Sequence, residues 1–299
     1  MHPTYYLLNI KNEIPEWTWD SPLERKIAPI FFGNLNCEKF LLSSDKRFAS
    51  AKNFLTLNGS DNWIISISPN YLWMYQVTGD PKDESPIFLK DGSSDIPKIR
   101  DISNIKKINL GEAPFIIASM RVNQAFCRNT FLQINPDKYI GNCVALDYLL
   151  FKNSNRKYSE LDCLSALELE TLIAKIFEES GFFVPAYRGG SLKDVDIYAE
   201  KIASSGAPSL SSLFDDVTRI EIQIKKHIDE KFTMKIMKSW RRSSSQDKEK
   251  LCRILISSDT TVETSIENGV FGPDWITQSL KKLPITSEWL KKSLRWLYS

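Results

Sequence analysis

The stretch IEIQIKKH, Ile220–His227, puts an isoleucine at every second position through Ile224 and sets Glu221, Gln223 and Lys225 on the alternate ones. Strict alternation over this length predicts a β-strand, whose side chains point to opposite faces with period two. Ile220, Ile222 and Ile224 therefore face a core, and the acid, the amide and the amine share the other face. Same-face neighbours lie about 6.6 Å apart, so Gln223 and Lys225 reach one small site, while Glu221 stands about 13 Å from Lys225, at its margin.

Upstream, KDVDIYAE (Lys193–Glu200) alternates in the same way, with Val195 and Ile197 on one face and Asp194, Asp196 and Tyr198 on the other. Pairing of the two strands brings an aspartate beside Gln223 and Lys225. A carboxylate, an amide oxygen and a backbone carbonyl are hard oxygen donors that suit Mg²⁺, which keeps several of its waters. A neighbouring lysine can hold or deprotonate a water, or stabilise charge on a phosphate. Asp194 shares the face of Asp196 and is expected at the rim.

Further upstream, LSALELETLIAKIFEESGFFV carries Leu164, Leu167, Leu172, Ile173, Ile176 and Phe177 at helical spacing. Ser165 followed by Glu168 is a capping-box pattern, and Gly181 a natural stop. Downstream, FTMKIMKSW (Phe232–Trp240) reads as a helix and CRILISSD (Cys252–Asp259) as a strand. The segments 274–282 and 287–297 read as amphipathic helices.

The half before residue 152 differs. WIISIS (Trp63–Ser68) and YLWMYQV (Tyr71–Val77), split by Pro-Asn, read as a hairpin. TGDPKDESP (Thr78–Pro86) reads as a polar loop, PFIIASMRV (Pro114–Val122) and RNTFLQI (Arg128–Ile134) as strands, and residues 45–52 as a short helix. The polar stretch 152–162 is read as a linker. The expectation is a β-rich recognition or sensing domain over 1–152, followed by an α/β domain over 153–299. Tyr71, Trp73, Tyr75 and Val77 alternate onto one face. Such a stripe stacks bases or fills a core, and core filling is the favoured reading. Arg121, Asn123, Gln124, Arg128 and Asn129 are residue types that read bases and phosphates, and they are equally common in turns.

The net charge of +2 argues against a strongly basic nucleic-acid binder, although it averages over faces and leaves room for a local basic cleft. Five scattered cysteines (37, 127, 143, 163 and 252), with no Cys-x-x-Cys, argue against a disulfide framework or zinc ribbon and for reduced thiols. Only His2 and His227 are present, which disfavours His-rich zinc sites and a Ser-His-Asp hydrolase. His227, beside two lysines, reads as a strand-end residue without a catalytic part. With no apolar run near the roughly 20 residues of a membrane span and no signal-like N-terminus, a cytoplasmic protein without a membrane partner is expected.

Taken in order, E-L-E-x-L-I-A (from Glu168), G-F-F-V (Gly181–Val184), D-V-D-I-Y-A (from Asp194) and I-Q-I-K-K (from Ile222) resemble the PD-(D/E)XK nuclease superfamily, and within it the Mrr-like restriction endonucleases. Leu169-Glu170 matches the helical hydrophobic-Glu pair, Asp196 the catalytic aspartate, and Gln223 with Lys225 the Q-x-K variant of E-x-K. The resemblance covers roughly residues 160–260 and none of the N-terminal half, and the Ser-rich stretch between Asp196 and Gln223 exceeds a tight hairpin.

The resemblance implies a restriction-endonuclease-like αβββαβ core with a mixed sheet. It also implies a Mg²⁺-dependent endonuclease (Mn²⁺ as a substitute) that hydrolyses DNA phosphodiesters in prokaryotic restriction or antiphage defence, working as a homodimer. In that reading Asp196, Gln223 and the Ile224 carbonyl hold the metal, Lys225 activates the water, and Glu170 completes a second metal position or holds Lys225. Arg188, Lys226, Arg241 and Arg242 are candidates for the DNA backbone. Two other readings stay open: a nuclease-fold DNA-binding or assembly module without turnover, since an amide is a weaker ligand than a carboxylate, and an RNA-directed nuclease toxin. Asp196 as a strand-edge ion-pair acid, with Gln223 and Lys225 on a solvated sheet face, is the structural alternative.

Overall fold

The structure, a computed structural model, describes residues 2–10, 14–123, 126, 128, 130–187, 195–202, 208–210, 214–215, 217–228 and 251–298. The chain divides into two compact units, Met1–Lys157 and Tyr158–Ser299, each mixed α/β. The division falls within the polar stretch read as a linker, five residues beyond the expected boundary at 152/153. Among the described residues, no helix is long and apolar enough to cross a membrane.

The first unit is built on a six-stranded sheet. Its strands are β1 (Thr4–Leu8), β2 (Ile27–Ile30), β3 (Asn62–Ile67), β4 (Tyr71–Asp83), β7 (Lys98–Asn109) and β8 (Phe131–Gln133), in the order β2-β7-β4-β3-β1-β8. A separate pair, β5 (Ile87–Phe88) with β6 (Ser94–Asp95), lies between β4 and β7 in sequence. The helices are α1 (Ser21–Glu24), α2 (Cys37–Leu42), α3 (Ala49–Leu55), α4 (Phe115–Ala118) and α5 (Pro136–Phe151).

The expected hairpin is β3–β4, antiparallel, with Ser68 Oγ accepting from Tyr71 N at 2.9 Å in the turn. Its aromatic stripe is core. Trp73 and Tyr75 are buried among Leu8, Phe54, Ile64 and Phe131, with Tyr71 and Val77 packed against that cluster. The polar ends are satisfied: Trp73 Nε1 donates to Asp20 Oδ1 at 2.5 Å, and the Tyr75 and Ser66 hydroxyls share a 2.9 Å hydrogen bond.

Three local expectations are corrected here, and one helix is added. Thr78–Asp83 continues β4 rather than forming a loop: Gly79, at φ +64°, allows a bulge after Thr78, and Lys82 and Asp83 rejoin β7 opposite Ile99 and Lys98. Residues 114–122 form α4 and a 3₁₀ turn, not a strand, because the buried Ile116, Ile117 and Met120 fall at helical spacing. In 128–134 the strand is limited to β8. Helix α5 had no sequence counterpart: Gly141–Asp147 are all buried, so the helix has no polar face to reveal its period.

The second unit begins with α6 (Ala166–Glu179). The Ser165 hydroxyl accepts from Glu168 N at 3.1 Å, and Glu168 Oε2 accepts from Ser165 N at 2.8 Å, the expected capping box. Gly181 turns the chain at φ +85°, a conformation that side-chain-bearing residues rarely adopt. The buried stripe is Leu169, Leu172, Ile173, Ile176 and Phe177, with Leu167 outside it.

The sheet comprises β9 (Phe182–Tyr187), β10 (Ile197–Lys201), β11 (Arg219–Lys225), β12 (Leu251–Ser257) and β13 (Val270–Phe271), in the order β13-β12-β11-β10-β9. The first three in sequence are antiparallel neighbours, and β11, β12 and β13 run parallel. The helix expected over 232–240 lies outside the described residues. The tail helices are α7 (Pro273–Lys282) and α8 (Pro284–Ser293). Ile220, Ile222 and Ile224 are buried, each contributing roughly 2 kcal/mol of transfer free energy.

Candidate functional site

Strand β10 pairs with β11 at Ile197–Ile222 and Tyr198–Glu221, and Asp196 N donates to Ile222 O at 2.8 Å. Beyond that point the Asp196 carboxylate takes over the ladder. Its Oδ2 accepts from the backbone N–H of Ile224 at 2.7 Å, from Gln223 Nε2 at 2.7 Å and from Lys225 Nζ at 3.4 Å. Asp196, Gln223 and Lys225 thus converge on one oxygen from adjacent strands.

The site is no solvated sheet face. Gln223 is 4 % exposed and Glu221 6 %, while Lys225 and Asp196 form the accessible rim. Burying an amide and an acid on a strand is unfavourable unless each finds partners. Glu221 finds Arg253 of β12, whose Nε donates to its Oε2 at 2.6 Å, so the acid nearest the motif is spent on an ion pair. Gln223 is satisfied only at its nitrogen: its Oε1 is enclosed and has no hydrogen-bond partner among the described residues. No family model, curated protein or solved structure matches this chain.

That orphaned oxygen tests the fit of a divalent cation. Among the described residues no group of three or more His, Cys, Asp or Glu side chains is placed to hold a metal. The donor set here is instead one carboxylate and one amide oxygen, compatible with a hard cation that retains water. Turning the Gln223 amide end for end would direct Oε1, rather than Nε2, at the Asp196 side.

Of the two acids near the start of α6, Glu168 is committed to the capping box, and burial raises its carboxyl above the usual range. Glu170 is half-buried on the same helix, which packs against β9, β10 and β11. Lys226 does not face outward as a backbone-binding cation. Its Nζ donates to the carbonyls of Asp162 at 3.0 Å and Leu164 at 2.5 Å, and burial lowers its basicity. Arg188, Arg241, Arg242 and Asp194 lie outside the described residues, as do Gln124 and Asn129. Arg121 lies over the Trp19 ring at 5.7 Å.

Two neighbours of this strand were not legible in the sequence, Arg253 beside Glu221 and Asp259, whose Oδ2 lies 3.7 Å from His227 Nδ1. Both follow from the parallel β11–β12 register, which pairs Glu221 with Arg253 and Lys225 with Ser257. Parallel pairing across a long connection leaves no local sequence signal. Cys37, Cys143, Cys163 and Cys252 are free thiols, and burial pushes Cys163 up to about 12 and Cys252 up to about 11.

Proposed function

We propose that the second unit is a Mg²⁺-dependent endonuclease of the PD-(D/E)XK, Mrr-like kind that hydrolyses DNA phosphodiester bonds. The observation that carries this reading is the convergence of Asp196, Gln223 and Lys225 on one buried-to-rim position, with the Gln223 oxygen left for a ligand. The five-stranded mixed sheet with α6 packed against it is compatible with the αβββαβ core that the sequence resemblance implies.

In this reading Asp196 and the Ile224 carbonyl, with Gln223 Oε1 once its amide is turned, would hold the cation, and Glu170 would support the site from α6. A cation bound there would supply Lewis-acid polarisation of the scissile phosphate. Lys225 orients the attacking water, takes its proton, and stabilises the charge gathering on the phosphate oxygens. The first unit would select or sense the target. A cytoplasmic, dimeric restriction or antiphage enzyme is the setting that follows from the resemblance.

The test is cleavage of supercoiled plasmid in Mg²⁺ or Mn²⁺, with EDTA as control, by the full chain and by Asp196→Ala and Lys225→Ala. Cutting by the native chain alone is the expected result. Undiminished cutting by both variants would remove the site assignment.

One observation favours a second reading. Asp196 Oδ2 already has its complement of donors without a cation, as expected of a nuclease-like module that binds without turnover. Tight DNA binding with no cutting of modified DNA, unmodified DNA or RNA would support it, and cutting of RNA alone would redirect the substrate.

A further inference from the structure

Lys226 follows Lys225 directly in the chain and is held by a different element. Its Nζ donates to the carbonyl of Asp162 at 3.0 Å and to that of Leu164 at 2.5 Å. These carbonyls belong to the short connection between two capped segments. The first is a 3₁₀ turn, Glu160–Cys163, closed by a capping box in which Asp162 Oδ2 accepts from Ser159 N at 2.8 Å. The second is α6, closed by the Ser165–Glu168 box. Leu164, which joins them, is fully buried. Both acids near the Lys226 ammonium, Asp162 and Glu168, are thus engaged in capping, and the ammonium donates to backbone oxygens. Enclosing a charge is costly, and an apolar side chain would fill the same space at less cost. What the lysine adds is direction, since two hydrogen bonds fix the backbone of this connection against the end of β11.

The end of β11 is also fixed from β12. The Lys225 carbonyl accepts from Ser257 Oγ at 2.9 Å and from Ser258 N at 3.3 Å, and both serines are buried. Lys225 Nζ reaches Asp196, the residue before β10, at 3.4 Å. Two adjacent residues therefore join three elements: β10 through the Lys225 side chain, β12 through the Lys225 carbonyl, and the entry of α6 through Lys226. Glu170 stands in the second turn of α6. A hydrogen-bonded helix carries a displacement of its first turn into its second, so the grip of Lys226 governs where Glu170 stands.

We infer that Lys226 is a positioning residue of the proposed site, one that locks the entry of α6 onto the end of β11 and so sets the place of Glu170 relative to Lys225 and Gln223. This rests on the nuclease reading above. It takes the place of the DNA-backbone contact expected of Lys226 from the sequence: the ammonium acts within the fold, and its loss misplaces a neighbour of the site without removing a contact to the substrate.

The test is a double-mutant cycle in the full chain: native, Lys226→Met, Glu170→Gln and both changes together, with Lys226→Arg as the conservative variant. Plasmid cleavage is followed in single turnover with Mg²⁺, and duplex binding without divalent cation over a range of salt. Methionine keeps the stem and removes the donors, so cleavage by Lys226→Met should fall on the order of 30-fold. Duplex affinity and its salt slope should stay native, because no phosphate contact is lost. Arginine can donate to both carbonyls and should recover most of the rate. In the Glu170→Gln background Lys226→Met should cost less than about 3-fold more, since both changes act on one interaction. Should Lys226→Met melt without cooperativity, Lys226→Gln, which keeps two donors on a shorter stem, takes its place in the cycle with the same expectation. A native rate for the variant, losses that multiply in the double variant, or a salt slope reduced by about one with a matching loss of affinity would overturn the inference while leaving the nuclease reading intact. A native chain that cuts no DNA overturns both.

Discussion

Gln223 and Asp196 face each other through the amide nitrogen: Nε2 donates to Oδ2 at 2.7 Å, while Oε1 is enclosed with no hydrogen-bond partner among the described residues. A glutamine can serve this position in two ways, as a donor to Asp196 without metal and as an oxygen ligand with it. An ionised glutamate cannot do the first.

Gln223→Glu is therefore expected to be cation-dependent in its stability. Two carboxylates at hydrogen-bond distance cannot both stay ionised without a cation between them, a cost of about 1–3 kcal/mol. In EDTA this variant should melt several degrees below the native chain, and Mg²⁺ should restore it by more than it stabilises the native chain. An equal Mg²⁺ shift for both proteins would mean that no cation sits between positions 196 and 223.

Lys225→Arg separates charge from proton transfer. Arginine keeps the cation at the rim but does not deprotonate in a protein. DNA affinity should stay within a few-fold, while plasmid cleavage falls roughly 100-fold. Cleavage at the native rate would mean that the side chain at 225 acts by charge alone.

Glu221 and Arg253 should behave as scaffold. Arg253→Met leaves a nearly buried carboxylate without its ion partner, which should cost about 3 kcal/mol in urea unfolding. The double change Glu221→Leu/Arg253→Met should recover most of that loss, since replacing both members of a buried pair by apolar groups is often neutral. Failure of the double variant to recover would indicate that Glu221 serves something besides Arg253.

What could be read in advance follows how local the cause is. The α6 capping box, Gly181 as its stop, the β3–β4 hairpin and the alternation of β11 each depend on residues a few positions apart, and each is present. The alternation of both strands put an aspartate beside Gln223 if the strands paired, and the family resemblance singled out Asp196; the antiparallel register that joins them is a property of the fold. Arg253 beside Glu221 and Asp259 beside His227 depend on a parallel register set across a long connection, which no short pattern encodes. In the first unit, α5 escaped because its buried surface runs all round the helix, and α4 because four apolar residues in a row fit strand and helix alike.

Asp95 offers a test in the first unit, independent of the proposed chemistry. It is nearly buried, and its Oδ1 has no hydrogen-bond partner among the described residues. Burial raises its carboxyl above the ordinary 3.8, against backbone hydrogen bonds from Gly33, Ile96 and Phe32 and the charge of Lys98. A group whose pKa is higher in the folded state favours folding fully below its unfolded pKa, and loses that contribution as pH rises through the folded value. At neutral pH the ionised Asp95 is therefore a net cost, with the attraction of Lys98 already included. Asp95→Asn stays neutral at every pH, so it should stabilise the protein by about 1 kcal/mol near pH 7. The gain should shrink towards zero as pH falls to about 4. Urea unfolding of both proteins across that range measures the difference directly. A difference that stays constant with pH would mean that Asp95 does not titrate differently in the folded chain, and a loss of stability at pH 7 would mean that its charge is needed by the buried Lys98.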